Sequence, residues 1–287
     1  MSRKLKINLE MIKFEHTLFA LPFAYMGAIV ASVTAYDSLP TWPQIGWITL
    51  AMVGARSAAM GLNRLIDASI DAKNPRTMLR AIPAGLISKK EVLLFIFISL
   101  LLLWFAASQL NETCVQWMPI AVLMLTAYSY TKRFTWLCHI FLGATIGLAP
   151  LGGWVAITGD LDIVAWVIYF AVVCWVAGFD ILYACQDQAF DKKEGLYSIP
   201  AQFGIKTSLW IARSLHVATG LALIGLWWIA PLGWIYAIGI FIACLILIYE
   251  HTLLKPNDLT KLNMAFFTMN GILSLVIFAF TLMDVVV

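Results

Sequence analysis

Residues 45–71 read IGWITLAMVGARSAAMGLNRLIDASID. From Ile45 to Ile66 the side chains are apolar or small except at Thr49, Arg56, Asn63 and Arg64. At 1.5 Å per residue, such a run reaches across the ~30 Å hydrocarbon layer of a bilayer. As an isolated segment only a helix can make that crossing, because lipid offers no partner to an unpaired backbone N–H or C=O. The run then closes on two aspartates, Asp67 and Asp71, spaced i, i+4.

The rest of the chain has the same composition. Its 287 residues are 62% hydrophobic and 12% charged, with a mean hydropathy of +0.87, whereas soluble domains carry ~25% charged residues. A water-soluble globule, a disordered tail, a disulfide-stapled secreted module and a nucleic-acid binder are excluded, since none could solvate so much apolar surface. Apolar runs of spanning length number nine, at 17–36, 45–66, 91–110, 117–131, 137–157, 163–184, 208–229, 234–253 and 264–283. The expected fold is all-α: a polytopic bundle of nine transmembrane helices, forming one domain over residues 1–287. The N-terminal cations Arg3, Lys4, Lys6 and Lys13 precede an apolar stretch that continues to Ala35, too long for a signal peptide, so it reads as the first span.

Charge sorts the connections. Those after spans one, three, five and seven hold no Lys or Arg, whereas those after spans two, four, six and eight hold, among others, Lys73, Arg76, Arg80, Lys132, Arg133, Lys192 and Lys261. The positive-inside rule places the N-terminus and the basic loops in the cytoplasm, and nine spans then put Asp284 outside. Two of the basic loops, at 72–90 and 192–207, exceed what a helix connection needs, and loops of that length are usually functional. Each follows an i, i+4 pair of aspartates and contains Ile-Pro-Ala, at 82–84 and 199–201, which reads as a weak internal repeat with spans two and six in matching roles. Cys114, Cys138, Cys174, Cys185 and Cys244 lie in or beside apolar runs without C-x-x-C spacing and read as small hydrophobes. His16, His139, His216 and His251 are scattered and suggest no metal cluster.

The chemistry lies in the acidic pairs. Asn63, Asp67 and Asp71 recur every four residues, so they share one helical stripe; Asp180, Tyr183, Asp187 and Asp191 form a second. A single aspartate there would be read as a helix cap or as a partner for a loop lysine. Two pairs on one membrane side call for more, because like charges at i, i+4 repel and a carboxylate at bilayer depth costs ~2.5–3.5 kcal/mol. A hard divalent cation compensates them: Mg²⁺ takes oxygen ligands, typically one or two carboxylates with waters and a substrate phosphate. Asn63, Asp67, Asp71, Asp187 and Asp191 are the candidate metal ligands, with the four aspartates catalytic.

Arg56 lies well inside span two on the face of Asn63 and Asp67, where it serves either an internal salt bridge or a carboxylate or phosphate of a substrate. Tyr128, Lys132 and Arg133 close span four as an interfacial anchor or as counter-charges to a diphosphate. Arg76, Arg80 and Lys192 add cations from the long loops.

Together, Arg56-x6-Asn63-x3-Asp67-x3-Asp71, then Arg76-Thr77 with Arg80-x-Ile-Pro-Ala-Gly85, then Tyr128-x3-Lys132-Arg133, then Asp180-x2-Tyr183-x3-Asp187-x3-Asp191, resemble the UbiA superfamily of intramembrane prenyltransferases over nearly the whole chain. The resemblance is strongest to the 4-hydroxybenzoate polyprenyltransferase branch. The stretch Lys13–Pro22 and the loop Asn74-Pro-Arg-Thr77 further resemble the bacterial subgroup of menaquinone synthesis by the futalosine route. The family's first motif often begins Asn-Asp; here Arg64 follows Asn63, so no extra ligand is assigned there. The resemblance implies Mg²⁺ held on the diphosphate of a polyprenyl donor, ionisation of the allylic C–O bond, and attack by an aromatic acceptor, 4-hydroxybenzoate or a naphthoate-type precursor, in ubiquinone or menaquinone biosynthesis. It also implies a bacterial cytoplasmic (inner) membrane enzyme whose partners are these substrates and membrane lipid, with no nucleic acid. Arg56, Asn63, Arg76, Arg80, Tyr128, Lys132, Arg133, Asp180, Tyr183 and Lys192 are then the expected substrate-binding set. Oligomeric state is not legible.

Two other classes stay open on the residues alone. A CDP-alcohol phosphotransferase also clusters aspartates in a membrane bundle, but its Asp-Gly-x-x-Ala-Arg continuation is missing after Asp67, where the chain reads Ala-Ser-Ile-Asp. An ion-coupled carrier would place its carboxylates nearer the bilayer midplane than these helix-end positions.

Overall fold

The computed structural model describes residues 17–287; Arg3, Lys4, Lys6, Lys13 and His16, with the first part of the Lys13–Pro22 stretch, lie outside the described residues. The chain forms α1 (Thr17–Tyr36), α2 (Trp42–Ile66), a single turn α3 (Ala68–Asp71), α4 (Lys89–Ser108), α5 (Glu112–Thr131), α6 (Cys138–Thr158), α7 (Ile163–Ala184), α8 (Gln188–Glu194), α9 (Ile199–Ile229), α10 (Trp234–Thr252) and α11 (Asn270–Val286). A 3₁₀ turn, Cys185–Asp187, joins α7 to α8, and a π-helical stretch, Met264–Met269, leads into α11. Among the described residues seven helical segments are long and apolar enough to cross a membrane, and Ala20–Tyr36 is a shorter apolar helix. With α5, whose Glu112, Gln116 and Pro119 dilute its hydropathy, these make the nine spans expected.

Local chemistry fixes the helix starts. Thr41 and Ser88 each close a capping box, with Gln44 and Glu91, and Asn111 caps α5 through the Cys114 N–H. Ser198 caps α9 through the Ala201 N–H, and Pro200 occupies its first turn. That start lies upstream of the expected 208 because Gln202 and Lys206 make the segment read as a loop, and Gly204, at φ 80°, kinks the helix between them.

The helices form a ring, α2–α4–α5–α6–α7–α9–α10–α11, closed by α1, which packs on α11 and α2 and reaches across onto α6. The α1–α6 contact depends on glycine: a Cβ on Gly27 would sit 2.1 Å from the Pro150 carbonyl oxygen, and one on Gly153 2.1 Å from that of Ala24. Without a hydrophobic drive between helices in lipid, such close backbone approach supplies the packing. Phe23, Trp154, Trp175 and Tyr236 fill the core between these helices. The ring leaves an internal space at the end where α2, α5 and α7 give way to loops.

Candidate active site

Both acidic stripes end in the same backbone event. α2 stops at Asp67 (φ −89°, ψ 1°) and α3 restarts beyond it, while α7 runs through its 3₁₀ turn to Asp187 (φ −97°, ψ 2°) before α8 begins. The Asp71 N–H still reaches the Asp67 carbonyl at 2.8 Å, so one turn of register survives the break. Asp67 and Asp187 therefore stand at interruptions rather than on an unbroken helical stripe.

On the α2 side the carboxylates are buried and paired with cations. Lys132 Nζ donates to Asp67 Oδ2 at 2.6 Å, Arg133 Nη2 to Asp67 Oδ1 at 3.1 Å, and Asn63 Nδ2 to Asp67 Oδ2 at 3.0 Å. Arg133 is fixed in turn by the carbonyls of Ser129 and Ile66. Arg80 Nη1 donates to both oxygens of Asp71, at 2.7 and 2.9 Å.

On the α7 side Arg76 grips Asp187 with two nitrogens, Nε at 3.0 Å and Nη2 at 2.6 Å, and gives Nη1 to the Tyr183 hydroxyl at 3.1 Å. Burial alone would lower the Arg76 pKa, but the Asp187 hydrogen bonds and charge, with Tyr183 beside them, outweigh it and raise the pKa. Asn74 adds a bond to Asp187 Oδ1 at 3.2 Å. Asp191 accepts from Ser198 Oγ at 2.8 Å, and Asp180 Oδ2 lies 2.7 Å from His139 Nδ1. Tyr183 stacks on Phe266 at 4.0 Å between centroids, so the π-helical stretch before α11 walls this side.

Between the two sides lies a cavity of about 680 Å³, lined by Arg56, Asn63, Arg76, Arg80, Asp180 and Tyr183, with Trp175, Phe179 and Phe266 along its aromatic flank. A second chamber of about 200 Å³, almost wholly apolar, runs toward the opposite end of the bundle past Met52, Leu103 and Met118 to Leu110 and Leu161. The two share Ala20, Arg56, Tyr128, Leu142 and Ile146 in their walls, so an apolar chamber adjoins a charged one. Arg56 stands at the junction. No carboxylate pairs with it among the described residues, and its Nε is buried without a hydrogen-bond partner.

The structure thus brings seven of the expected residues, Arg56, Asn63, Arg76, Arg80, Tyr128, Asp180 and Tyr183, to the cavity wall. Asp71 and Asp187 stand one bond behind it, through Arg80 and Arg76, and Asp67 through Asn63, whereas Lys132, Arg133 and Asp191 do not line it. Lys192 is exposed on α8 and does not line the cavity. The donors are all oxygens, as a hard divalent cation requires, but among the described residues no three His, Cys, Asp or Glu side chains form a closed ligand cluster. An ion bridging protein carboxylates to a substrate phosphate needs no such cage. Sequence reading missed Asn74, His139, Asn270 and the buried Arg64, which donates to Asn63 Oδ1 at 3.1 Å. Only Asn74, within a quoted loop motif, carried a signal.

The sequence pattern of the UbiA prenyltransferase family matches residues 20–272. A mitochondrial 4-hydroxybenzoate polyprenyltransferase of Arabidopsis thaliana is 34% identical over 221 residues, 76% of this chain and 53% of the plant protein, so the chain spans about half that relative's length. A 4-hydroxybenzoate octaprenyltransferase of Methylococcus capsulatus is 32% identical over 76% of this chain and 75% of its own. Among solved structures, the apo form of a UbiA homologue from Aeropyrum pernix K1 superposes with a TM-score of 0.85 at 30% identity, covering 94% of this chain and 98% of that one. A UbiA homologue from Archaeoglobus fulgidus, solved with DMAPP and Mg²⁺, shares the fold at a TM-score of 0.73 and 24% identity, covering 98% of this chain and 99% of that one.

Proposed function

Because the chain belongs to the UbiA prenyltransferase family, we propose that it transfers a polyprenyl group from its diphosphate to an aromatic acid, 4-hydroxybenzoate or a naphthoate-type precursor, in ubiquinone or menaquinone biosynthesis. The observation that carries this reading is the pair of adjoining chambers, which matches a substrate with an anionic head and a hydrocarbon tail. The chain acts as a single transmembrane domain in a bacterial cytoplasmic membrane, with its basic loops cytoplasmic.

Arg76 and Arg80 on the cavity wall, with Lys132 and Arg133 behind it on Asp67, bind the diphosphate oxygens, Arg bidentately and Lys as a point charge. Asn63, Asp67, Asp71, Asp187 and Asp191 would hold Mg²⁺ there, and the Mg²⁺ would supply Lewis-acid stabilisation of the leaving diphosphate. The charge of two such ions is cancelled by the four aspartates, so the diphosphate's own charge falls to the cations. The allylic C–O bond breaks with its electron pair leaving on the diphosphate. A carbon ortho to the acceptor's hydroxyl then forms the C–C bond and the ring loses its proton. Apolar walls keep water from the allyl cation.

Arg56 and Asp180 face the acceptor. Each stands seven residues, two turns or ~10 Å, deeper than the head-group residue of its own helix, Asn63 and Asp187. Both line the cavity, and they carry opposite charge. A carboxylate directed at Arg56 and a hydroxyl at Asp180 orient an aromatic hydroxy acid between them.

The test is purified protein in lipid nanodiscs with Mg²⁺, a prenyl diphosphate and each acceptor, followed by mass spectrometry and diphosphate release. Prenylated acceptor, formed with equal diphosphate, is expected. Gradient-driven solute uptake in vesicles without any prenylated product would instead establish a carrier.

A further inference from the structure

Asp180 differs from the acids around it. Asp67, Asp71 and Asp187 are paired with Lys or Arg, whereas Asp180, itself on the cavity wall, is held by an imidazole. His139 lies in the first turn of α6 and is 3% exposed. Its Nε2 receives the backbone N–H of Ile199 at 3.3 Å. A backbone N–H can only donate, so Nε2 carries the lone pair and Nδ1 carries the proton. The 2.7 Å contact is therefore Nδ1–H donating to Asp180 Oδ2 from a neutral ring.

The Ile199 N–H is available because it opens α9, where the first turn has no intrahelical acceptors for its donors. The neighbouring Ser198, the α9 cap, donates to Asp191. One helix start thus fixes two acids of the second motif, Asp191 directly and Asp180 through His139.

We infer that His139 is a positioning residue: as a neutral donor it holds one oxygen of Asp180 and leaves the other, with its negative charge uncancelled, for the hydroxyl of the aromatic acceptor. The inference rests on the prenyl-transfer reading above. A cation in the same place would neutralise Asp180 and weaken it as an acceptor; a neutral ring fixes the carboxylate's orientation without that loss. With the hydroxyl held by Asp180, electron density rises at the ortho carbon that attacks the allylic carbon.

The polarity sets the test, since an amide also offers one donor and one acceptor. His139→Gln keeps both and should stay within about threefold of the unaltered protein in kcat/KM for the acceptor. His139→Ala removes both, and loss of a hydrogen bond to a charged group predicts a drop of about tenfold to a hundredfold. That drop should appear as a raised acceptor KM and as diphosphate released without prenylated product, with the KM for prenyl diphosphate unchanged. Nitrogen-15 NMR of histidine-labelled protein in nanodiscs, assigned by the loss of one signal pair in His139→Gln, should show one protonated and one bare ring nitrogen through neutral pH. Thermal unfolding confirms that both variants are folded.

If unaltered protein is active and His139→Ala matches it, or if His139→Gln is as impaired as His139→Ala, the inference is wrong. Two protonated nitrogens would likewise overturn it. Should no acceptor be prenylated by the unaltered protein, the prenyl-transfer reading fails instead, and the NMR result still decides the state of His139.

Discussion

The two acidic walls carry the same i, i+4 pair of aspartates and break their helices with almost the same angles, yet they are held differently. The α2 wall is sunk into the protein: the Asp67 side chain is 2% exposed and is held by Lys132 and Arg133, which approach from the end of α5. The α7 wall is more open, with Asp187 16% and Asp180 24% exposed, and its partners are a loop arginine, a serine and a neutral histidine. A buried ion pair breaks at high cost because the surviving charge stays in low dielectric, whereas a pair at the rim exchanges its partners for water. The first wall is therefore built into the scaffold, and the second is free to rearrange around a substrate.

That contrast breaks or holds first on its largest expected effects. Asp67→Asn and Asp187→Asn should each lower turnover by a factor on the order of 10²–10³, since each removes charge from the leaving-group site. Their stabilities should diverge. Asp67→Asn strands two cations around a site where the carboxylate is only 2% exposed and should cost about 1–3 kcal/mol, whereas Asp187→Asn strands one cation at a carboxylate 16% exposed and should cost less, about 1 kcal/mol. Thermal and denaturant unfolding in a fixed lipid or detergent composition measures both, and equal losses would erase the distinction between the walls.

Arg76→Ala comes next. It removes the bidentate clamp on Asp187 and a cation of the cavity wall. A loss of about 10² in kcat/KM for the prenyl diphosphate is expected, with Arg76→Lys recovering only part because an ammonium cannot bridge two oxygens in the same plane. Restoration to the full rate by Lys would show that charge alone matters on the open wall.

These partnerships set the boundary of what the sequence could reveal. Spans were legible because membrane crossing imposes a length and a hydropathy on each segment separately, and α1 and α7 match the expected limits residue for residue. The start of α9 was not, because a polar, kinked helical turn resembles a loop until its cap is seen. The acidic stripes were legible from spacing. Which cation meets which acid was not, since Arg80 pairs with Asp71 over nine residues while Arg76, four residues earlier, crosses to Asp187. His139 carried no signal at all, because its two partners are 41 and 60 residues away.

Arg56→Ala probes the junction, where among the described residues no carboxylate pairs with the guanidinium. The acceptor KM should rise roughly tenfold, as for loss of one charge-assisted hydrogen bond, while the KM for prenyl diphosphate holds. A phenolic acceptor lacking the carboxylate should show no change. Sensitivity of that phenol to the substitution would place Arg56 at the donor rather than the acceptor.

The smallest effect is expected where the walls meet at the surface. Lys73 bonds Glu194 at 2.7 Å and so ties the loop after the first motif to the helix after the second. Its geometry is good, but the Lys73 side chain is 64% exposed, and exposed pairs contribute about 0–1 kcal/mol because water and salt compete for both charges. Lys73→Ala should therefore change turnover by less than about twofold and be insensitive to added salt. The Asp187 clamp and the Tyr197 N–H to Lys132 carbonyl bond, 2.7 Å long, would still hold the second loop against the first wall. A large loss from this substitution would mean that the exposed bridge, and not the buried contacts beneath it, sets the distance between the two acidic walls.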